Sequence, residues 1–160
     1  MAKFEKQTEV GPFEWPHDCK SPWWRIFNGI PVLGPDIRAL KKFRQQILTR
    51  DETYLNSWPS DLGVLEIRDK LIEMIVGDME WPCGRFLPLD PCDIIFFETG
   101  IDFSSGICIS RIEKHFLVEI PISGLKNWTF LQLVLFIKNQ RAVAAQRFPC
   151  VHEPSKCTNF

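Results

Sequence analysis

Three one-sided apolar stripes at helical spacing occupy the second half of the chain, and they restrict the fold more than any other feature. From Glu66, the first comprises Ile67, Leu71, Ile72, Met74, Ile75 and Met79, and Trp81-Pro82 stops it. Ile109, Ile112 and Phe116, with Ile107 and Cys108 beside them, make the second, which Glu119-Ile120-Pro121 ends. Leu131, Leu133, Val134, Leu135 and Ile137 make the third. It opens on Thr129 with Gln132 three residues later, the pattern of a capping box. A stripe of this kind must be buried against another element, and three of them joined by loops bury one another. The expected fold is therefore all-α, a small helical bundle.

The connections are uneven. Residues 82–99 form a long link rich in proline and aspartate, and the apolar patch Ile94-Ile95-Phe96-Phe97 inside it suits either a short strand or a buried turn. A short piece around Gly124-Leu125 leads to Trp128, and the last helix is expected to fade after Arg141. Residues 1–60 form an extension in front of this bundle. Gly11-Pro12, Trp15-Pro16, Ser21-Pro22, Pro31 and Gly34-Pro35 interrupt any long element there. Phe13, Trp15, Trp23, Trp24 and Phe27 are too apolar for a solvated tail and should pack against the helical bundle. One further helix is expected at about 36–49, with Asp36 as its cap and Ile37, Leu40, Phe43 and Ile47 on one face. Asn56 to Gly63 has the composition of a linker. The chain thus divides into an extension (1–60), a helical domain (65–141) and a tail (142–160).

The net charge of −1 conceals an imbalance. Residues 61–122 hold twelve acids and five bases, while the remainder holds eight acids and fourteen bases. Arg38, Lys41, Lys42 and Arg44 lie on one helix face, and a solvated face explains them without nucleic acid or membrane as partner. No apolar run is long enough to span a bilayer, and Met1 to Val10 is too polar for a secretory signal. A cytoplasmic chain is the expectation, and its six cysteines are then free thiols.

One ordered set of segments resembles a known family. Gly100-Ile101-Asp102 precedes the second helix, Ile109, Ile112 and Phe116 lie along it, and Val118-Glu119-Ile120-Pro121 closes it. Thr129-Phe130-Leu131-Gln132 opens the last helix. This order is similar to that of acyl carrier proteins, and nearest to bacterial acyl-carrier-like domains that carry Gly-Ile-Asp at this turn and lack the arm-bearing serine. The resemblance spans residues 65–141, under half the chain. It implies a non-enzymatic domain that docks to a protein partner through its second helix and the acidic loop. Asp102, Phe103, Arg111 and Lys114 are the implied contact residues.

In working carriers the serine after the Gly-x-Asp turn receives phosphopantetheine. Its place at a helix N-terminus suits a phosphodiester, because unpaired N–H groups and the helix dipole favour negative charge there. Here Phe103 follows Gly100-Ile101-Asp102, and an ungapped match from Phe116 puts Asp102 at the position instead. Ser104 and Ser105 come late, and capping alone explains them. The expectation is a domain without cofactor. The alternative is a divergent carrier loaded at Ser104 or Ser105. Carriers also present an acidic second helix, whereas this one shows Arg111, Glu113, Lys114 and His115.

Other chemistry has thinner support. His17 with Cys19 and Cys150 with His152 make two Cys/His pairs suited in kind to tetrahedral zinc, with Cys157 as a substitute ligand. Their spacing within each pair is tighter than common zinc motifs use, so a zinc staple stays an alternative. Cys108 and His115 share a helix without an evident third group, which fits a core thiol and a surface histidine. Asp90, Asp93, Glu98 and Asp102 cluster in sequence, as acidic loops often do.

Overall fold

The computed structural model describes residues 11–15, 35–97 and 104–147. Among these the chain is helical without a strand. The helices are α1 (Pro35–Thr49), α2 (Leu62–Asp78), α3 (Cys92–Ile95), α4 (Ser104–Phe116), α5 (Ile122–Leu125) and α6 (Phe130–Arg147). A 3-10 helix covers Glu52–Ser57. The small helical bundle expected from the three stripes is what forms.

Helix α2 is its centre. Asp61 caps it by accepting from the Val64 N–H at 3.1 Å, so it starts four residues earlier than Glu66. Val64, Ile67, Leu71, Met74 and Ile75 are buried, and they face α4 and α6. Helix α4 contributes Cys108, Ile112 and Phe116, spaced at i, i+4, i+8. Ile107 belongs to the other side: it is 64% exposed. Leu117 then enters the left-handed region at φ 55°, which ends α4 before Glu119-Ile120-Pro121 is reached. The freed Ile120 N–H donates to Glu113 Oε1 at 2.7 Å.

Helix α6 has the reciprocal cap its sequence specifies. Thr129 N–H donates to Gln132 Oε1 at 2.9 Å, and Gln132 N–H donates to Thr129 Oγ1 at 3.3 Å. Phe130, Leu133, Val134 and Ile137 are fully buried. The helix continues to Arg147 rather than fading after Arg141, because Ala142 to Gln146 contain no breaker.

The first part of the chain shares this core. Phe13, Phe43, Ile47 and Trp58 join the cluster that includes Leu71 and Phe130. Helix α1 opens on Pro35, whose fixed φ and missing donor suit a first helical residue, so Asp36 lies within the first turn. Phe43 and Ile47 are buried, and Lys41 and Lys42 on the other side are exposed. Arg44 is not simply solvated: it donates to the Met79 carbonyl at 3.1 Å. The stretch expected as a linker is ordered around Trp58, whose indole donates to the Phe86 carbonyl at 3.0 Å and whose ring meets Phe130 edge-on.

The long link is also built. Its apolar patch forms no strand but a buried turn, the one-turn helix α3, with Ile94 and Ile95 fully buried. Trp81 donates to the Ile95 carbonyl at 3.0 Å. Gly84 passes so close to α2 that an added Cβ would sit 2.1 Å from Ile72 Cγ2. At the other end the Cys92 N–H donates to the Trp128 carbonyl, and Phe130 N–H donates to that of Asp90, both at 2.8 Å.

Candidate docking surface and buried ion pair

Helix α4 carries the residues that the carrier resemblance singles out. Ser104 and Ser105 are its first two residues and are half-buried. Asp102 and Phe103 lie outside the described residues, as does the Gly100-Ile101-Asp102 turn. Arg111 donates to Asp78 Oδ1 of α2 at 2.7 Å, which leaves its guanidinium about half exposed. Lys114 and His115 are exposed, and the His115 ring stands edge-on to Phe116 with centroids 4.8 Å apart.

Large apolar groups on α4 and just after it stand in water. Besides Ile107, Leu117 is 86% exposed and Ile122, at the start of α5, is 71% exposed. Helix α4 thus presents apolar residues near each end and cations between them. Glu113 is turned to the Ile120 amide.

Beside it, α2, α4 and α6 border an open groove. Glu66 and Glu73 stand on one wall, His115 and Arg141 on the other, with Phe116 between. Lys70 and Glu73 pair at 2.7 Å, and that hydrogen bond, with the Lys70 charge, holds the Glu73 carboxyl below its ordinary value.

The thiols are placed for packing. Cys108 is fully buried, and burial first, then the Asp78 carboxylate beside it, push its thiol up to about 12. A thiol protonated to that pH supplies no thiolate near neutrality. No hydrogen bond joins it to His115 among the described residues. Cys92 is likewise buried and its thiol is raised, first by burial and then by Asp93 and Asp90. Cys83 is half-buried and donates to the Ile47 carbonyl at 3.6 Å. His17, Cys19, Cys150, His152 and Cys157 lie outside the described residues. Among the described residues, no three metal-binding side chains converge.

The acidic loop has a role that sequence spacing does not reveal. Asp90 is fully buried and forms a two-pronged pair with Arg50: Nη1 donates to Oδ2 at 2.6 Å and Nη2 to Oδ1 at 2.8 Å. Asp90 also accepts from the Phe13 N–H at 3.0 Å and the Leu87 N–H at 2.7 Å. Arg50 further donates to the carbonyls of Arg85 at 2.8 Å and Gly11 at 3.1 Å, and lies 4.2 Å above the Phe13 ring. Asp93 accepts from the Trp15 indole at 2.9 Å. These carboxylates join parts of the fold and are not arranged as an acid/base pair. Glu98 lies outside the described residues.

Comparison with protein-family models, curated proteins and solved structures finds no match to this chain. Among the described residues, no helix is long and apolar enough to cross a membrane.

Proposed function

We propose that this chain is a non-enzymatic interaction domain of the acyl-carrier type, which docks a protein partner through α4 and works without a phosphopantetheine arm. The observation that carries the reading is the solvent side of α4. Ile107, Leu117 and Ile122 are left in water around Arg111 and Lys114. A monomer gains nothing from exposing three such side chains on adjacent elements, whereas a partner desolvates them. The cations between them fit a partner whose surface is acidic at its centre and apolar to either side. That reverses the charge of ordinary carriers, whose second helix is acidic. The order of parts supports the carrier comparison: α2, a long link, α4, the short α5 and the Thr129-capped α6.

The first test is intact mass before and after incubation with coenzyme A and a broad-specificity phosphopantetheinyl transferase, with a known carrier in the same tube. An unchanged mass beside a modified control is the expected result. One added arm, lost in a Ser104→Ala/Ser105→Ala variant, overturns the reading in favour of a divergent carrier. The docking face is tested separately. A protein retained by the wild-type chain should be released by Ile107→Asp and by raised salt, with the helical circular dichroism of the variant unchanged. Equal retention by the variant removes α4 as the docking face.

A further inference from the structure

Residues Gly11–Trp15 lie in the fold as a bound peptide lies in a receptor. The segment has no helical or strand structure, and its last three side chains differ in burial: Phe13 is buried, Glu14 is exposed, and Trp15 is again partly buried. That alternation is how an extended peptide places every second side chain in a pocket. The Phe13 ring sits between Phe43 and Trp81, at centroid distances of 5.3 and 5.7 Å, with the Arg50 guanidinium over it. Trp15 stands edge-on to both Phe43 and Phe97, at 5.6 and 5.0 Å.

The main chain of the segment is bonded by side chains of the receptor. Asp90 takes the Phe13 N–H, while Arg50 and Gln46 donate to the Gly11 carbonyl at 3.1 and 3.3 Å. Pro12 between them has no N–H to satisfy and favours the extended form. The receptor comes entirely from α1, Arg50 just after it, and the link 81–97. Its charges are already paired with each other. Without the segment, Asp90 keeps both prongs of Arg50 and the Leu87 N–H, and Arg50 keeps the Arg85 carbonyl. Withdrawal therefore leaves no buried charge alone, unlike removal of either partner of the pair.

We infer that the groove between α1 and the link 81–97 is a recognition site for an extended aromatic–x–aromatic peptide segment of a partner, which the chain's own Gly11–Trp15 occupies and so masks. Two ring pockets two residues apart set the pattern, and Asp90 and Arg50 read one N–H and one C=O of the backbone. A tethered segment competes at an effective concentration on the order of millimolar. A partner segment must outcompete it or meet a chain whose own segment is held elsewhere. This site is separate from α4 and does not depend on the docking proposed there.

The test uses the full chain carrying Phe13→Ala/Trp15→Ala and a labelled, acetylated Gly-Pro-Phe-Glu-Trp peptide, read by fluorescence anisotropy. The variant should bind it at least tenfold more tightly than the wild-type chain, and a Gly-Pro-Ala-Glu-Trp peptide should bind neither. No binding by a variant whose circular dichroism and cooperative melt are retained overturns the inference. Native-state hydrogen exchange of the unaltered chain stands in if the variant does not fold. Local withdrawal makes the Phe13 amide exchange at least tenfold faster than those of Leu71 and Leu133. Exchange of all three together overturns the inference.

Discussion

Arg50 and Asp90, forty residues apart, meet in a dry two-pronged ion pair whose side chains are both fully out of solvent. The four hydrogen bonds that the Asp90 carboxylate accepts come from three parts of the chain: one from the N-terminal segment, two from Arg50 just after α1 and one from the link before α3. Replacing one partner alone strands the other charge in a low-dielectric site, which costs about 3–5 kcal/mol. Asp90→Asn and Arg50→Met are each expected to lose stability of that order in urea unfolding, and Arg50→Met/Asp90→Leu to lose less than their sum. Losses under about 1 kcal/mol for both single variants would mean that the pair is solvated.

Glu80 follows α2 in the left-handed region, at φ 54°. A side chain there costs about 1–2 kcal/mol, which glycine avoids, less the entropy it adds to the unfolded chain. Glu80→Gly should therefore raise stability by about 0.5–1 kcal/mol, seen as a higher melting temperature. A lower one would contradict the left-handed turn.

Gly84 shows the opposite sensitivity. Its Cα faces Ile72 so closely that a methyl group overlaps Cγ2, and Ile72 is branched at Cβ and confined between α2 and the link. Gly84→Ala should cost about 1–3 kcal/mol through displaced packing. Ile72→Ala in the same chain should return part of that loss, a sign of coupling that a thermal double-mutant cycle reads directly.

Stability should fall on both sides of a plateau in pH. Asp61 is held below its ordinary value by the Lys138 hydrogen bond first and by capping the Val64 N–H, and Asp51 by its hydrogen bonds to Thr53. Their folded forms bind protons less readily than the unfolded chain, so the stability they add is present above about 3.8 and is lost as pH drops below it. For Cys108 the sign reverses. Its folded thiol stays protonated to about 12 against 9.0 for a free thiol, so stability is full below 9.0 and falls as pH rises toward 12. Urea midpoints measured across pH should show both limbs, and Cys108→Ala should flatten the alkaline one. An alkaline limb identical in that variant would remove Cys108 as its source.

Much of this fold is written locally. The apolar residues of α2 and α6 recur at 3.6-residue spacing, and Thr129 with Gln132 forms the cap that its spacing specifies. Those features depend on neighbours within a turn or two. Where the sequence misleads, the deciding contact is distant. Ile107 reads as core beside Ile109, yet the phase of α4 is fixed by Cys108, Ile112 and Phe116 against α2. The linker-like run around Ser57-Trp58-Pro59-Ser60 is ordered because Trp58 finds Phe86 and Phe130. Arg111 reads as free for a partner, and Asp78, thirty-three residues earlier, takes part of its charge. Arg50 carries no signal at all. An arginine after a helix and an aspartate in a proline-rich loop are ordinary at any spacing, and only the closed fold makes them a pair.

The reach of that pair also orders events in time. Its bonds span forty residues to Arg50 and seventy-seven to Phe13, and the Asp90 carbonyl receives the Phe130 N–H. A chain emerging from the ribosome can wind α1 and α2 as soon as they appear, but it cannot bury this charge until the residues on both sides of the link are available. Until Phe130 is out, Phe86 and Trp58 both lack it as an aromatic neighbour. During that interval the half-built protein exposes aromatic surface of the sort that chaperones hold, because contacts of long sequence separation close last.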